Sequence, residues 1–311
     1  MHIGFAILAA FLSAGFFVGG KVAIARHGMA WTALWRWSLL TTGACGLVAW
    51  LVLGAPSLSW GAWGFCLLAG ISGSLAHVCA NQALAWGDAS VLVPVSGAKP
   101  LVMVPLLWLV FGTAMPPNML WACALATFGI ALGGLGPVRR HLHAPHPRWG
   151  FALMLGSVVL MTLSDFYGTK ALKIAGPELR TAVIAGWCMS LGLLPMFALL
   201  ACSAWWPRST PARPEPWTNR LRAVWQGMIF AAFIAALSLA ISSGKTFVID
   251  PGLSASEVNI IVAFRGVIAV LMVLALDRWM GTGLEPIPWW IHAIRLMGAL
   301  VLAGAVMTAF W

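Results

Sequence analysis

Residues 13–21, SAGFFVGGK, return as residues 162–170, TLSDFYGTK. A constant offset of 149 lays Phe17 over Phe166, Gly19 over Gly168 and Lys21 over Lys170, and carries Thr32-Ala33 onto Thr181-Ala182. Further on, an offset of 166 lays ASVLVPVSGAKPL (89–101) over ASEVNIIVAFRGV (255–267), so that Lys99 meets Arg265. Matches in the same order mark an internal duplication, and what is duplicated is apolar. The chain has 311 residues, 61% of them hydrophobic and 8% charged, with mean hydropathy +0.92; a soluble domain carries about 25% charged residues. Hydropathy divides it into ten segments: 3–24, 31–53, 60–85, 89–111, 118–136, 149–172, 180–202, 223–247, 254–276 and 287–310. A helix of about 20 apolar residues crosses a ~30 Å hydrocarbon layer, and the alternation of barrel strands is absent. The predicted fold is an all-α membrane protein of ten transmembrane helices in two five-helix repeats, 1–136 and 149–311, joined by a basic linker, 137–148. Five is odd, so the second copy must enter the membrane inverted. Inverted repeats place a transporter's substrate site near the midplane where they meet.

The net charge of +10 gathers largely in two loops, RRHLHAPHPR (139–148) and PRSTPARPEPWTNRLR (207–222). Beside a membrane such charge sets topology and meets anionic head groups, so lipid is an expected partner and nucleic acid is not. The six cysteines fall in apolar segments without CxxC spacing and read as small buried hydrophobes. The N-terminal MHIGFAILAAFLSAGFF lacks a basic leader and reads as a retained first helix. HLHAPHP (141–147) would hold a metal only adventitiously, so no metal site is expected. Without a nucleotide-binding loop, neither a cofactor nor an ATP-driven pump is expected. GISG (70–73) matches a short intramembrane-protease motif around Ser72. His77, five residues on, lies about 140° around the helix, which opposes the hydrogen bond such a pair needs; an enzyme is not expected.

Buried charge is the functional signal. In VPVSGAKPLVMVP (93–105), Lys99 is the eleventh residue of its 23-residue span, and Arg265 is the twelfth of its own. Both fall near mid-depth, where a charge costs at least ~2.5 kcal/mol on insertion scales. Lys21, Arg36, Lys170 and Lys245 lie within two turns of predicted helix ends, and their stems can snorkel to the interface. Internal pairing, Lys99 with Asp165 or Arg265 with Glu257, is the structural alternative. It leaves an excess, because seven basic residues (those six and Arg295) face two acidic ones within the spans. An anionic substrate group, carboxylate or phosphate, would complement that excess. The substrate-binding candidates are therefore Lys99, Arg265, Asp165, its neighbour Tyr167, and His77 with Asn81, which share a face of helix three. His77 is also a candidate carrier of a coupling proton, with a structural hydrogen bond as its alternative. Pro94, Pro100 and Pro105 each remove a backbone donor, and freed carbonyls survive where they line a cavity. A bent, hinge-like or gating helix four is expected; a merely kinked packing helix is the alternative. IIVAFRGVIAV (260–270) keeps the cation without the prolines, so bending is expected of helix four alone. Trp31, Trp35, Trp37, Trp60, Trp63, Trp289 and Trp290 read as interfacial anchors, Trp86 and Trp187 as candidates to border the cavity, and Gly129 with Gly133 as a helix-packing GxxxG.

Three further stretches carry a resemblance. TALWRWSLL (32–40), NQALAWGDASVLVPVSGAKPLVMVPLLWLVFG (81–112), and the glycine-bearing ATFGIALGG (126–134) with RLMGALVLAGAV (295–306) are similar to the drug/metabolite transporter superfamily, EamA-like ten-helix type, over nearly the whole chain. The sequence departs from that pattern after helix four, where FGTAMPP lacks the usual acidic residue, and in the second repeat, which lacks a counterpart of Arg36. The resemblance implies a secondary transporter of a small molecule. In the sugar-phosphate branch, cations on helices four and nine hold the phosphate, and Lys99 and Arg265 are placed similarly. The expected function is alternating-access transport of a small polar metabolite, anionic or zwitterionic, with a coupling proton as a candidate partner. The alternatives are an exporter of amino acids or cationic, aromatic drugs with the charges structural, and a lipid-head-group flippase. A multi-pass protein of a bacterial plasma (inner) membrane is expected, as monomer or homodimer. The resemblance puts both termini in the cytoplasm, whereas the loop charges put them outside.

Overall fold

The structure, a computed structural model, describes residues 2–86, 99–133, 147–203, 216–265, 267–269, 271–272, 275 and 289–310. Among these are ten α-helices: α1 (His2–Ala25), α2 (Trp31–Val52), α3 (Trp60–Trp86), α4 (Lys99–Phe111), α5 (Pro117–Gly133), α6 (Pro147–Ala175), α7 (Arg180–Ser203), α8 (Trp217–Ser243), α9 (Pro251–Val262) and α10 (Trp289–Phe310). A single 3₁₀ turn, Lys245–Phe247, joins α8 to α9. Five stretches are long and apolar enough to cross a membrane: His2–Ile24, Trp60–Ala80, Arg148–Ala175, Trp217–Ser243 and Pro251–Ala269.

Local chemistry sets the helix ends that hydropathy blurs. Helix α8 starts at Trp217, six residues before the predicted 223, directly after Pro216. Arg220 and Arg222, expected in a loop, therefore ride on helix: Arg220 sits 5.7 Å over the Trp37 ring, and Arg222 donates to Asn219 Oδ1 at 2.7 Å. At its other end Gly244 turns extended (φ −66, ψ 143), so Lys245 falls outside the helix and is exposed. Asp250 caps α9, its carboxylate accepting from the N–H groups of Gly252 (2.8 Å) and Leu253 (3.1 Å), with Pro251 in the first helical position. This arrangement satisfies the orphan donors of a helix start and presets its backbone.

Helix nine is interrupted once. It stops at Val262, and the Phe264 N–H bonds the Ile261 carbonyl, a tightened 3₁₀ step. The α-type bond from Ile268 to Phe264 then restores helix. The regular α pattern is thus interrupted immediately before Arg265, without a proline. In α4, Pro105 lies inside the helix and Pro100 is buried near its start; Pro94 lies outside the described residues.

The packing has a pattern. Helix α3 runs along α6 and α1 along α8; α2 packs on α8 and α3 on α7; α2 pairs with α7 and α5 with α10. Four of these crossings are close because a glycine offers no side chain. A Cβ on Gly43 (α2) would meet the Gly192 Cα (α7) at 3.0 Å. A Cβ on Gly70 (α3) would collide with Ser190 (α7), and one on Gly227 (α8) with the Ser38 carbonyl and Thr41 (α2). A Cβ on Gly129 (α5) would press on the Gly298 carbonyl (α10) at 2.8 Å, the packing role expected of that GxxxG. Hydroxyls tie the same crossings: Thr42 Oγ1 donates to the Gly227 carbonyl (3.0 Å), Ser74 Oγ to Leu191 (2.7 Å) and Ser164 Oγ to Ala69 (2.7 Å). Without a hydrophobic drive between helices in lipid, small residues and interhelical hydrogen bonds hold such bundles together.

Candidate functional site

Where these crossings leave space, a central cavity opens. Its polar lining comes from six side chains: Ser13 (α1), His77 (α3), Lys99 (α4), Ser164 and Asp165 (α6), and Arg265 just past the break in α9. Phe17, Trp187, Phe230 and Phe233 supply most of its aromatic wall. Helices from both halves of the chain contribute.

Lys99 and Asp165 meet. The ammonium contacts Asp165 Oδ2 at 2.5 Å, and each residue is 6% exposed. Of the two internal pairings weighed from the sequence, this one forms. In the other, the Glu257 carboxylate accepts from Thr246 Oγ1 at 2.9 Å. The Arg265 guanidinium lies 5.5 Å over the Phe17 ring and donates to Ser13 Oγ at 3.4 Å. Asp165 acts electrostatically on both cations, and the cations act on each other. Lys99 thus faces a carboxylate, and the described contacts of Arg265 are a ring face and a hydroxyl.

The remaining candidates divide. His77 lines the cavity, 4% exposed, with its ring edge-on to Phe230 (4.6 Å) and Phe16 (5.7 Å). Asn81 lies on the same helix, and its side chain is outside those described. Tyr167 is not among the cavity-lining residues; it stacks on Phe65 at 6.1 Å. There Lys170 sits between the rings of Phe65 (5.5 Å) and Phe111 (5.3 Å). Arg36 and Lys245 are exposed, so the cation excess inside the protein is smaller than seven against two. Among the described residues that line the cavity are two cations, Lys99 and Arg265, and one carboxylate, Asp165.

Trp187, a sequence candidate to border the cavity, does line it, and its indole donor, unpaired among the described residues, is what the sequence did not show. It is 2% exposed, it lines the cavity, and its Nε1–H has no acceptor among the described residues. Its indole lies where a Cβ on Gly168 would be. That glycine was the available signal: it is the copy of Gly19, which holds the Gln226 amide in the same manner. Ser72 turns its hydroxyl onto the Leu68 carbonyl of its own helix. Cys66, Cys123 and Cys188 are buried thiols. No group of three or more metal-ligating side chains occurs among the described residues.

A model of the EamA-like transporter family matches residues 1–134. A solved protein crystal structure is similar in fold, with TM-score 0.64, over 98% of this chain and 96% of that one, at 17% sequence identity. No curated protein matches the chain.

Proposed function

We propose a cargo and a route for this chain, which through residues 1–134 is a member of the EamA-like transporter family and so a multi-pass membrane protein that moves small molecules. The cargo is a small anionic or zwitterionic metabolite. The route is the central cavity, alternately opened to each side as two five-helix halves rock about it. The observation that carries this reading is that the described cavity lining gathers two cations, Lys99 and Arg265, around Asp165. Carboxylate and phosphate groups complement such cations, and a guanidinium offers them a bidentate fork. The Trp187 Nε1–H adds a neutral donor.

The helix pairings support the halves as inverted repeats. Exchanging α1–α5 with α6–α10 turns α3·α6 into α8·α1 and α2·α8 into α7·α3, and leaves α2·α7 and α5·α10 unchanged. Gly43 and Gly192, touching at α2·α7, differ by the offset of 149 read from the sequence. The same exchange relates Lys99, reaching from α4 to α6, to Arg265, reaching from α9 to α1. A site on the axis relating inverted repeats lies near the midplane.

The test is flux in proteoliposomes together with ligand-induced thermal stabilisation. Anionic metabolites stabilise the wild type and lose that effect in Lys99→Ala with Arg265→Ala; an unchanged anion affinity in the double variant refutes the reading. The formed Lys99–Asp165 pair and the aromatic wall favour one second reading, an exporter of amino acids or cationic, aromatic compounds in which the charges are structural. Stabilisation by cations and not by anions selects it.

A further inference from the structure

We propose that the end of the bundle where α1 stops and α8 starts binds one anionic glycerophospholipid. Arg26 and Arg222, with His27 beside them, hold its phosphate, and its acyl chains lie along the outer face of α8. These side chains are not among the described lining of the central cavity, so the lipid site is separate from the cargo route.

A tight turn builds the head-group end. The Arg26 N–H bonds the Val22 carbonyl at 2.9 Å, Gly28 takes a φ of 60°, and the Met29 N–H returns to the Ala23 carbonyl at 3.2 Å. Such a glycine-terminated stop fixes Arg26 and His27 at the end of α1. Beneath them Ala23 and Met29 pack with Leu34 of α2 and Ala223 of α8 in a small core of their own. Ala223 follows Arg222 in the chain, so the same core sets where Arg222 stands. Arg222 and Arg26 both act on the His27 imidazole, so basic groups from two helices share one neighbourhood. Arg222 donates to a neutral acceptor, Asn219 Oδ1, at 2.7 Å, and Arg26 is exposed. A phosphodiester between the two guanidiniums offsets their repulsion and accepts charge-assisted hydrogen bonds from both. Below the cations α8 turns an apolar stripe outward. Trp217, Leu221, Trp225, Met228 and Ala232 are exposed, and steps of three and four keep them on one face. Arg222 borders that stripe. From Arg222 to Ala232 the helix rises about 15 Å at 1.5 Å per residue, half of a ~30 Å hydrocarbon layer. The stripe is one leaflet deep, the span of an acyl chain, and Trp217 stands at the head-group level that indoles favour. Basic pockets at such a level hold anionic head groups. A soluble phosphate would need the arginines alone; the lipid uses the stripe as well.

The full chain, delipidated in a mild detergent, is titrated with phosphatidylglycerol or with phosphatidylcholine of the same acyl chains, and bound lipid is counted by native mass spectrometry. The wild type retains one phosphatidylglycerol in preference to phosphatidylcholine, and its unfolding temperature rises with that lipid. Arg26→Gln with Arg222→Gln weakens the retention roughly 25-fold, since each arginine beside a membrane surface contributes a factor of about five. Arg26→Gln alone, at an exposed position, weakens it about fivefold. Lys173→Gln with Arg180→Gln, which removes the same charge where α6 ends and α7 begins, leaves it unchanged. Glycerol 3-phosphate, the soluble head group, does not displace the lipid at millimolar concentration. Equal retention of the two lipids by the wild type overturns the proposal without recourse to any variant. Retention that survives loss of Arg26 and Arg222, or that falls equally in both double variants, overturns it too. Displacement by glycerol 3-phosphate overturns the lipid and leaves a soluble-phosphate site in its place.

Discussion

Lys99 and Asp165 stabilise one another only as a pair. Removing one partner of a buried ion pair leaves an uncompensated charge and costs about 3–5 kcal/mol, whereas replacing both by apolar groups of similar volume is often neutral. Lys99→Met is therefore expected to lower the unfolding temperature sharply in detergent, and Lys99→Met with Asp165→Leu to restore most of it. Arg265→Ala is expected to weaken anion binding by about 10- to 100-fold, the range for a lost charge-assisted hydrogen bond, measured by equilibrium binding. The sequence held much of this site, since spacing alone put Lys99 and Arg265 at mid-depth and named Asp165 as a partner. It could not choose between partners. The Lys99–Asp165 contact spans 66 positions and depends on how α4 packs on α6. The rival Arg265–Glu257 pair assumed one continuous helix, and the α pattern is interrupted at Ala263–Phe264. The orphan Trp187 N–H is a property of packing, with only the repeated glycine at 168 to hint at it.

At the scale of helices, the α2–α7 crossing is the most constrained. A Cβ on Gly192 would collide with the Leu39 carbonyl and the Gly43 amide, and backbone cannot move aside as a side chain can. Gly192→Leu is expected to destabilise by about 1–3 kcal/mol, the usual penalty of overpacking, while Gly4→Ala, with nothing within 4 Å of the added carbon, is neutral. Thermal melts of the two variants against wild type measure both. Hydropathy located the spans because burial in lipid demands long apolar runs, and it placed the start of α3 and of α7 correctly. It misplaced the ends of α8, where Pro216 and Gly244 rather than polarity start and stop the helix. The break in helix nine escaped it altogether, since Ala263 and Phe264 are ordinary helix residues.

Among the described residues, several cations cluster at one end of the bundle. Arg26, His27 and Arg222 gather where α1 ends and α8 begins, with Arg220 alongside on Trp37. His27 is held below its ordinary pKa by desolvation and then by Arg222 and Arg26, which leaves the charge of this face to the arginines at neutral pH. The chain ends lie at the other face. His2 acts on Glu257, which bonds Thr246 beyond the far end of α8, and Ala309 accepts from Asn118 at the start of α5 at 3.5 Å. If the basic face is cytoplasmic, as basic loops generally are, tags at both termini are accessible to impermeant labels in intact cells; protected tags contradict that orientation. Cargo charge is the property on which the transport reading turns. The most direct measurement is the change in unfolding temperature of the purified protein across matched anionic, zwitterionic and cationic metabolites, in wild type and in Lys99→Ala with Arg265→Ala. The account predicts that anions or zwitterions raise it in wild type and lose that effect in the double variant. Stabilisation by cations alone, or by anions equally in both proteins, would contradict it.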